Sequence, residues 1–212
     1  MRLLLVRHGQ SLGNIEARIQ GDDDPLTGHG REQARRASAH LAARGDITHL
    51  YASSLARALE TATIIGKAIG RDPVPVPGLA EINAGTAAGM LWTEWTQQFP
   101  EEAARRIANE SLMEAWAGGE SAHVFSIRVL AAYNEIVTWH QGTNDVVALV
   151  SHGGALAWIS AHIHGDPLDA WPAHRSGFLN CSISELEIDA AGNSSIVSWN
   201  EYAHLEGLVT HS

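Results

Sequence analysis

Two short apolar runs lying far apart in the chain are broken off in the same way. Leu3–Val6 stops at Arg7-His8-Gly9, and Val146–Val150 stops at Ser151-His152-Gly153-Gly154. Aliphatic runs of this length without polar alternation read as strands buried on both faces, as in parallel sheets covered by helices on either side. Ligands of such sheets bind at the carboxyl ends of the strands. Both histidines are therefore expected at the binding edge, with arginines nearby. Gly9 and Gly13 allow the backbone to fold back tightly there, and Gln10, Ser11 and Asn14 supply uncharged hydrogen-bonding groups. A helix opening after His152 would add free backbone N–H groups. The combination suits an oxyanion.

The segments between these runs supply the remaining layers. Residues 15–25 form a polar loop with Gly21 and three aspartates. Thr27 is the expected N-cap of a helix in which Ala34, Ala37 and Leu41 recur at helical spacing until Gly45, with Arg31, Arg35 and Arg36 on its solvated face. A second strand is predicted over Thr48–Ala52, and Ser53 or Ser54 is the expected cap of a helix running through Leu55–Ala62, with Gly70 near its end. Arg57 lies in that helix's first turn, where its guanidinium and the positive end of the helix favour the same anion. Pro73–Pro77 is an extended stretch, a third strand with Glu81 just beyond it. Residues 91–119 read as a helical insertion divided at Pro100 and rich in aromatics: Trp92, Trp95, Phe99 and Trp116. At helical spacing these read first as packing and second as a surface for a ring-bearing ligand. Arg105 and Arg106, on a glutamate-rich helix, read as solvated. Ser121 opens a further helix with an expected buried stripe of Val124, Ile127 and Ala131, with Leu130, Tyr133 and Val137 beside them. Cys181–Ile188 and Ser194–Trp199 form a hairpin about Ala191-Gly192-Asn193.

Composition narrows the function classes. The 212 residues suffice for one α/β domain spanning 1–212, and a net charge of −10 argues against general affinity for nucleic acid or an anionic membrane surface. The basic residues are thirteen arginines and Lys67, and the guanidinium fork matches phosphate oxygens. No run of eighteen apolar residues and no signal-peptide pattern occurs, so a cytoplasmic address is expected. Cys181 is the single cysteine, which excludes an internal disulfide and a thiolate metal cluster. There is no Gly-Lys-Ser/Thr phosphate loop and no Gly-x-Ser-x-Gly elbow. His162 and His164 are close enough for a metal but have no evident third ligand, so no metal and no cofactor are expected.

Leu5-Val6-Arg7-His8-Gly9-Gln10-Ser11-Leu12-Gly13-Asn14 resembles the signature of the histidine phosphatase superfamily, phosphoglycerate mutase-like branch. The segments Ser53–Ala62, Gly118–Ser121 and Val150–Gly154 are similar to later motifs of that family and follow in the same order. The resemblance implies a three-layer α/β sandwich with a mainly parallel central sheet. It implies phosphoryl transfer through a transient phosphohistidine: His8 as nucleophile, Glu81 as acid and base, and Arg7, Arg57 and His152 as further catalytic groups. Arg7, Asn14, Arg57, His152 and Gly153 would hold the phosphate, and residues 91–119 would form a substrate-choosing lid. Gly21, Trp92, His174 and Arg175 are candidates for the pocket rim. The partner expected is a small phosphomonoester, and a homodimer is compatible with such a chain. Many members carry Gly-x-Trp-Glu-Gly where this chain has Gly85-Thr86-Ala87-Ala88-Gly89. Family mutases have an arginine directly after the acid, whereas Ile82 follows Glu81, so the expectation is a phosphatase, with mutase activity as runner-up and a non-catalytic phospholigand-binding protein as a third reading.

Overall fold

The computed structural model describes residues 1–108, 111, 113–172 and 177–210. Its centre is a six-stranded sheet in the order β3-β2-β4-β1-β5-β6, formed by β1 Arg2–Arg7, β2 His49–Ala52, β3 Val74–Pro75, β4 Val146–Ser151, β5 Ile183–Ile188 and β6 Ser194–Glu201. Neighbours from β3 through β1 run parallel, and β5 and β6 close the sheet as the antiparallel hairpin. Alternation along β1 and β4 divides the core in two. Leu3, Leu5, Val147 and Leu149 pack beneath α6 Ala122–His140 and α7 Gly153–His164. Leu4, Val6, Ala148 and Val150 pack beneath α2 Gly28–Arg44 and α3 Ala56–Ile69. All eight are fully buried, so neither face of the two central strands can accept a polar residue. Polar chemistry is confined to the strand ends.

The helices follow the sequence pattern with two instructive exceptions. Thr27 caps α2, its Oγ1 accepting from Gly30 N at 2.9 Å, Gly45 ends it in the left-handed region at φ 69°, and Ala34, Ala37 and Leu41 face inward. Arg35 and Arg36 pair with Glu32 and Arg31 with Glu60, as a solvated face should. The N-cap of α3 is Leu55, not Ser53 or Ser54. The Ser53 hydroxyl lies 2.7 Å from His152 instead. Ser121 does cap α6, accepting from Val124 N, but the buried stripe is rotated by about one residue from the expectation. Val124 and Ile127 are 53 % and 57 % exposed and Ala131 is also exposed, while Phe125, Val129, Ala132 and Ile136 join Leu130, Tyr133 and Val137 inside. A helix apolar on most of its circumference has no unique phase; the bulk of Phe125 and Ile136 selects the inward face.

Residues 92–107 form two helices, α1 of the chain being the short turn Leu12–Glu16, followed here by α4 Trp92–Gln98 and α5 Pro100–Ile107. They carry a small core of their own in which Trp95, 1 % exposed, packs with Ala84, Ala87, Ala103, Phe99 and Trp116. Packing is therefore the first use of these aromatics. Among the described residues no helix is long and apolar enough to cross a membrane.

The loop after β1 meets the start of α2 backbone to backbone. A Cβ on Gly9 would lie 2.4 Å from Gly30 O, and one on Gly30 would lie 2.0 Å from Gln10 O, whereas a Cβ on Gly28 would meet nothing within 4 Å. Gly9→Ala is expected to destabilise the fold by about 1–3 kcal/mol through overpacking, and Gly28→Ala by far less. Urea unfolding midpoints of the two variants test this, and equal midpoints would contradict the close-approach argument.

Candidate active site

The carboxyl ends of β1 and β4 bring the two histidines together, with ring centroids 5.0 Å apart and planes tilted by 57°. Both are at most 1 % exposed. His8 Nδ1 lies 2.7 Å from Gly9 O. A carbonyl oxygen can only accept, so Nδ1 carries the proton and, in the neutral ring, the lone pair is on Nε2. Burial, then the charges of Arg57 and Arg7, hold His8 well below the ordinary imidazole pKa. Burial, then Arg57 and the His8 ring, do the same to His152. Both rings are thus neutral at pH 7. His152 Nε2 is 2.7 Å from Ser53 Oγ, and its Nδ1 has no hydrogen-bond partner among the described residues.

Two guanidiniums are sunk into the same region. Arg7, the last residue of β1, donates to Phe178 O. Burial pushes it down to about 10, against the attraction of Glu81 and together with the repulsion of Arg57. Arg57, fully buried in the first turn of α3, donates to Gly21 O at 2.8 Å, and its Nε has no partner among the described residues. Burial lowers its pKa as well, while Glu81, Asp24 and Asp22 counteract this from a distance. Both remain charged at neutral pH, in a setting where removing a cation from water is costly unless an anion faces it.

The carboxyl group of Glu81 sits on the first turn of α7. Its Oε2 accepts from Gly154 N at 2.8 Å and its Oε1 from Ile82 N at 3.0 Å. A Cβ on Gly154 would come within 2.4 Å of Oε1, so glycine there is a requirement of this contact. Gly153 lies against the Arg7 guanidinium, 3.7 Å from its Cζ to where a Cβ would stand. Asn14 Oδ1 takes donors from Ser11 N, Ser11 Oγ and Asn180 Nδ2, which leaves the amide N–H groups as its remaining function.

Gly21 is present through its carbonyl on Arg57. Trp92, 38 % exposed, packs against Trp95 with the ring planes tilted by 40°; the cavity beside Glu81, of ≈ 300 Å³, is lined instead by Ile82, Arg106, Trp116, Gly154 and Trp171. Arg106 is not on a solvated face: its side chain is 5 % exposed, paired with Glu102, with the guanidinium 3.9 Å from the centre of the Trp116 ring. Arg105 is half-exposed and pairs with Glu114, as expected. His174 and Arg175 fall outside the described residues.

Three further residues build the site and went unread. Ser53 directly follows β2, and its hydroxyl meets His152 Nε2. Thr61 accepts from Gly9 N at 3.1 Å and donates to Arg57 O at 2.7 Å, joining the His8 loop to the Arg57 helix. Arg128 reaches from α6 to the carbonyls of Gly78, Ala80 and Glu81 while its other edge holds Glu120 through two bonds, at 2.9 and 2.7 Å. A lone arginine in an otherwise apolar stretch of helix was the available signal for it.

The geometry has clear relatives. The chain is 37% identical over 189 residues to the probable phosphoglycerate mutase GpmB of Enterobacter sp. (strain 638), covering 88% of this chain and 85% of that one. It superposes on Bacillus stearothermophilus YhfR with a TM-score of 0.84 at 30% identity, covering 96% and 98% of the two chains. It also superposes on the native mycobacterial glucosyl-3-phosphoglycerate phosphatase with a TM-score of 0.80 at 30% identity, covering 95% and 99%. A family model matches residues 3–202, and the chain belongs to the histidine phosphatase superfamily (branch 1).

Proposed function

We propose that the protein is a phosphomonoesterase that hydrolyses a small phosphorylated metabolite through a phosphohistidine at His8. The observation that carries this reading is a neutral, Nδ1-protonated imidazole buried beside two guanidiniums, with a carboxyl group on the adjacent helix turn. His8 Nε2 attacks phosphorus, and the bond from phosphorus to the ester oxygen breaks. Arg7, Arg57, His152 and the Asn14 amide hold the equatorial oxygens, where charge gathers in the transition state. Glu81 passes its proton to the departing alcohol, then takes one from water as that water attacks the phosphohistidine and the P–N bond breaks. His8 returns to its neutral form. The cationic groups are all side chains, so turnover is expected to survive chelation.

The cavity beside Glu81 is the natural seat for the alcohol part of the ester. Its ≈ 300 Å³ and its Trp116, Trp171 and Ile82 walls suit an apolar or ring-bearing group. The mycobacterial phosphatase's similarity supports hydrolysis, as does Ile82 in the position where the family's mutases carry an arginine. Similarity to the GpmB sequence favours mutase-type transfer as the second reading. Supplying 3-phosphoglycerate with a trace of 2,3-bisphosphoglycerate separates them: free phosphate supports hydrolysis, and 2-phosphoglycerate supports the mutase.

His8→Ala is expected to lower turnover of a phosphomonoester by about 10⁴ or more, since loss of a nucleophile disables its whole catalytic unit; steady-state assay of phosphate release is the check. Glu81→Gln is expected to lower kcat/KM by about 10² or more on an alkyl phosphate. It should cost far less on p-nitrophenyl phosphate, whose leaving group scarcely needs a proton, and equal losses on both would remove Glu81 from the acid role. The buried histidines also predict a pH dependence of stability. Because the folded state holds His152 below its ordinary pKa, the unfolded chain binds the extra proton first as pH falls below about 6.5. Stability should therefore drop on acidification, and His152→Asn should flatten that drop by up to about 1.4 kcal/mol per pH unit. Parallel curves for wild type and variant between pH 7.5 and 5 would contradict the assignment.

A further inference from the structure

At the opposite edge of the sheet from the histidine pair, three side chains from three elements converge. His49 is the first residue of β2, Asp145 immediately precedes β4, and His140 ends α6. Six residues of β4 separate this edge from His152, roughly 20 Å at strand rise. The imidazoles of His49 and His140 have centroids 4.3 Å apart, and each turns a nitrogen toward the same carboxylate oxygen. Asp145 Oδ2 is 2.8 Å from His140 Nδ1 and 4.0 Å from His49 Nδ1. One potential ligand atom from each residue lies within 4.8 Å of the others.

We propose that His49, His140 and Asp145 form a binding site for a divalent transition-metal ion of the Zn²⁺ class. Two imidazole nitrogens and one carboxylate oxygen are the donor set such ions select, whereas Mg²⁺ and Ca²⁺ require oxygen ligands. Tetrahedral ligation at about 2.0–2.1 Å places ligand atoms roughly 3.3 Å apart, and the two measured separations from Asp145 Oδ2 bracket that value. A small rotation of the half-exposed His49 ring, giving up its 2.9 Å contact with Thr48 Oγ1, closes the longer one.

Support for the ligands is already in place. His140 Nε2 lies 2.9 Å from the buried Tyr51 hydroxyl. When Nδ1 coordinates metal, the proton of the neutral ring is on Nε2 and donates to Tyr51, the outer contact that orients a metal-bound histidine. The Thr143 hydroxyl accepts from Asp145 N at 3.0 Å and donates to His140 O at 2.7 Å, fixing the turn that presents the carboxylate. With His49 at 44 % side-chain exposure, the fourth position is open to water. The ion would tie the end of α6 to the starts of β2 and β4, and no step of the phosphoryl transfer passes through it.

The test is calorimetric titration of chelator-stripped full-length protein with ZnCl₂, together with visible absorption on adding Co²⁺. One site per chain is expected, with the intense bands of four-coordinate Co²⁺ and no competition from Mg²⁺. His49→Ala and Asp145→Asn, both at partly exposed positions, should each weaken Zn²⁺ binding by at least about a hundredfold, and Tyr51→Phe by about tenfold. A double replacement of His162 and His164 should leave the site intact. Circular dichroism of each variant establishes that it is folded, and Tyr51→Phe, which removes only a hydroxyl, keeps the proposal exposed if a ligand variant is not. Binding unchanged in His49→Ala and Tyr51→Phe, or binding lost only with His162 and His164, would overturn it.

Discussion

Burying two guanidiniums at the end of a central strand pair is the constraint from which the rest of the site follows. Neither Arg7 nor Arg57 can be withdrawn from water without compensation. Part of that compensation is a carbonyl of Phe178 accepting from Arg7, a carbonyl of Gly21 accepting from Arg57, and the attraction of Glu81 for both. Such a cup is most stable with an anion in it. The same positive field, added to burial, keeps His8 and His152 uncharged. The positive charge of the cup and the neutral imidazole nitrogens within it, which the proposed phosphoryl transfer would use, thus have one physical origin.

Rigidity at this place comes from close backbone approach. Gly9 against Gly30 is a backbone contact that any side chain would push apart, and a side chain at position 154 would displace the Glu81 carboxyl group from its present place. Thr61 and Ser53 then carry hydrogen bonds from the α3 region to the His8 loop and to His152. Arg128 holds the loop bearing Glu81 by three of its carbonyls, so the Glu81 carboxyl group is positioned from α6 on one side and from α7 on the other. The helices α4 and α5 have a core of their own about Trp95, which lets the wall of the cavity vary without disturbing the sheet.

Much of this was legible in the sequence because its signals are local. A run of aliphatic residues cut short by histidine and glycine specifies a strand end, and Thr27, Gly45, Gly70 and Ser121 mark helix boundaries through backbone rules that depend on few neighbours. What was not legible depends on tertiary contact. Ser53 looks like a helix cap until His152 is seen beside it. The phase of α6 is ambiguous because both of its flanks are apolar, and only packing against the sheet chooses Phe125 over Val124. Arg106 looks solvated until Trp116, ten residues away, covers it. His49, His140 and Asp145 carry no signal one at a time; only the parallel pairing of β2 with β4 sets His49 beside Asp145, and the end of α6 adds His140.

Where the phosphoryl group goes decides the chemistry of this site. Rapid quenching of the protein during turnover of a phosphomonoester under alkaline conditions, followed by peptide mass spectrometry, identifies the residue carrying it. A phosphoryl adduct on His8, absent from His8→Ala protein, is the predicted result. An adduct on a serine, an aspartate or any other histidine, with His8 unmodified throughout turnover, would contradict it.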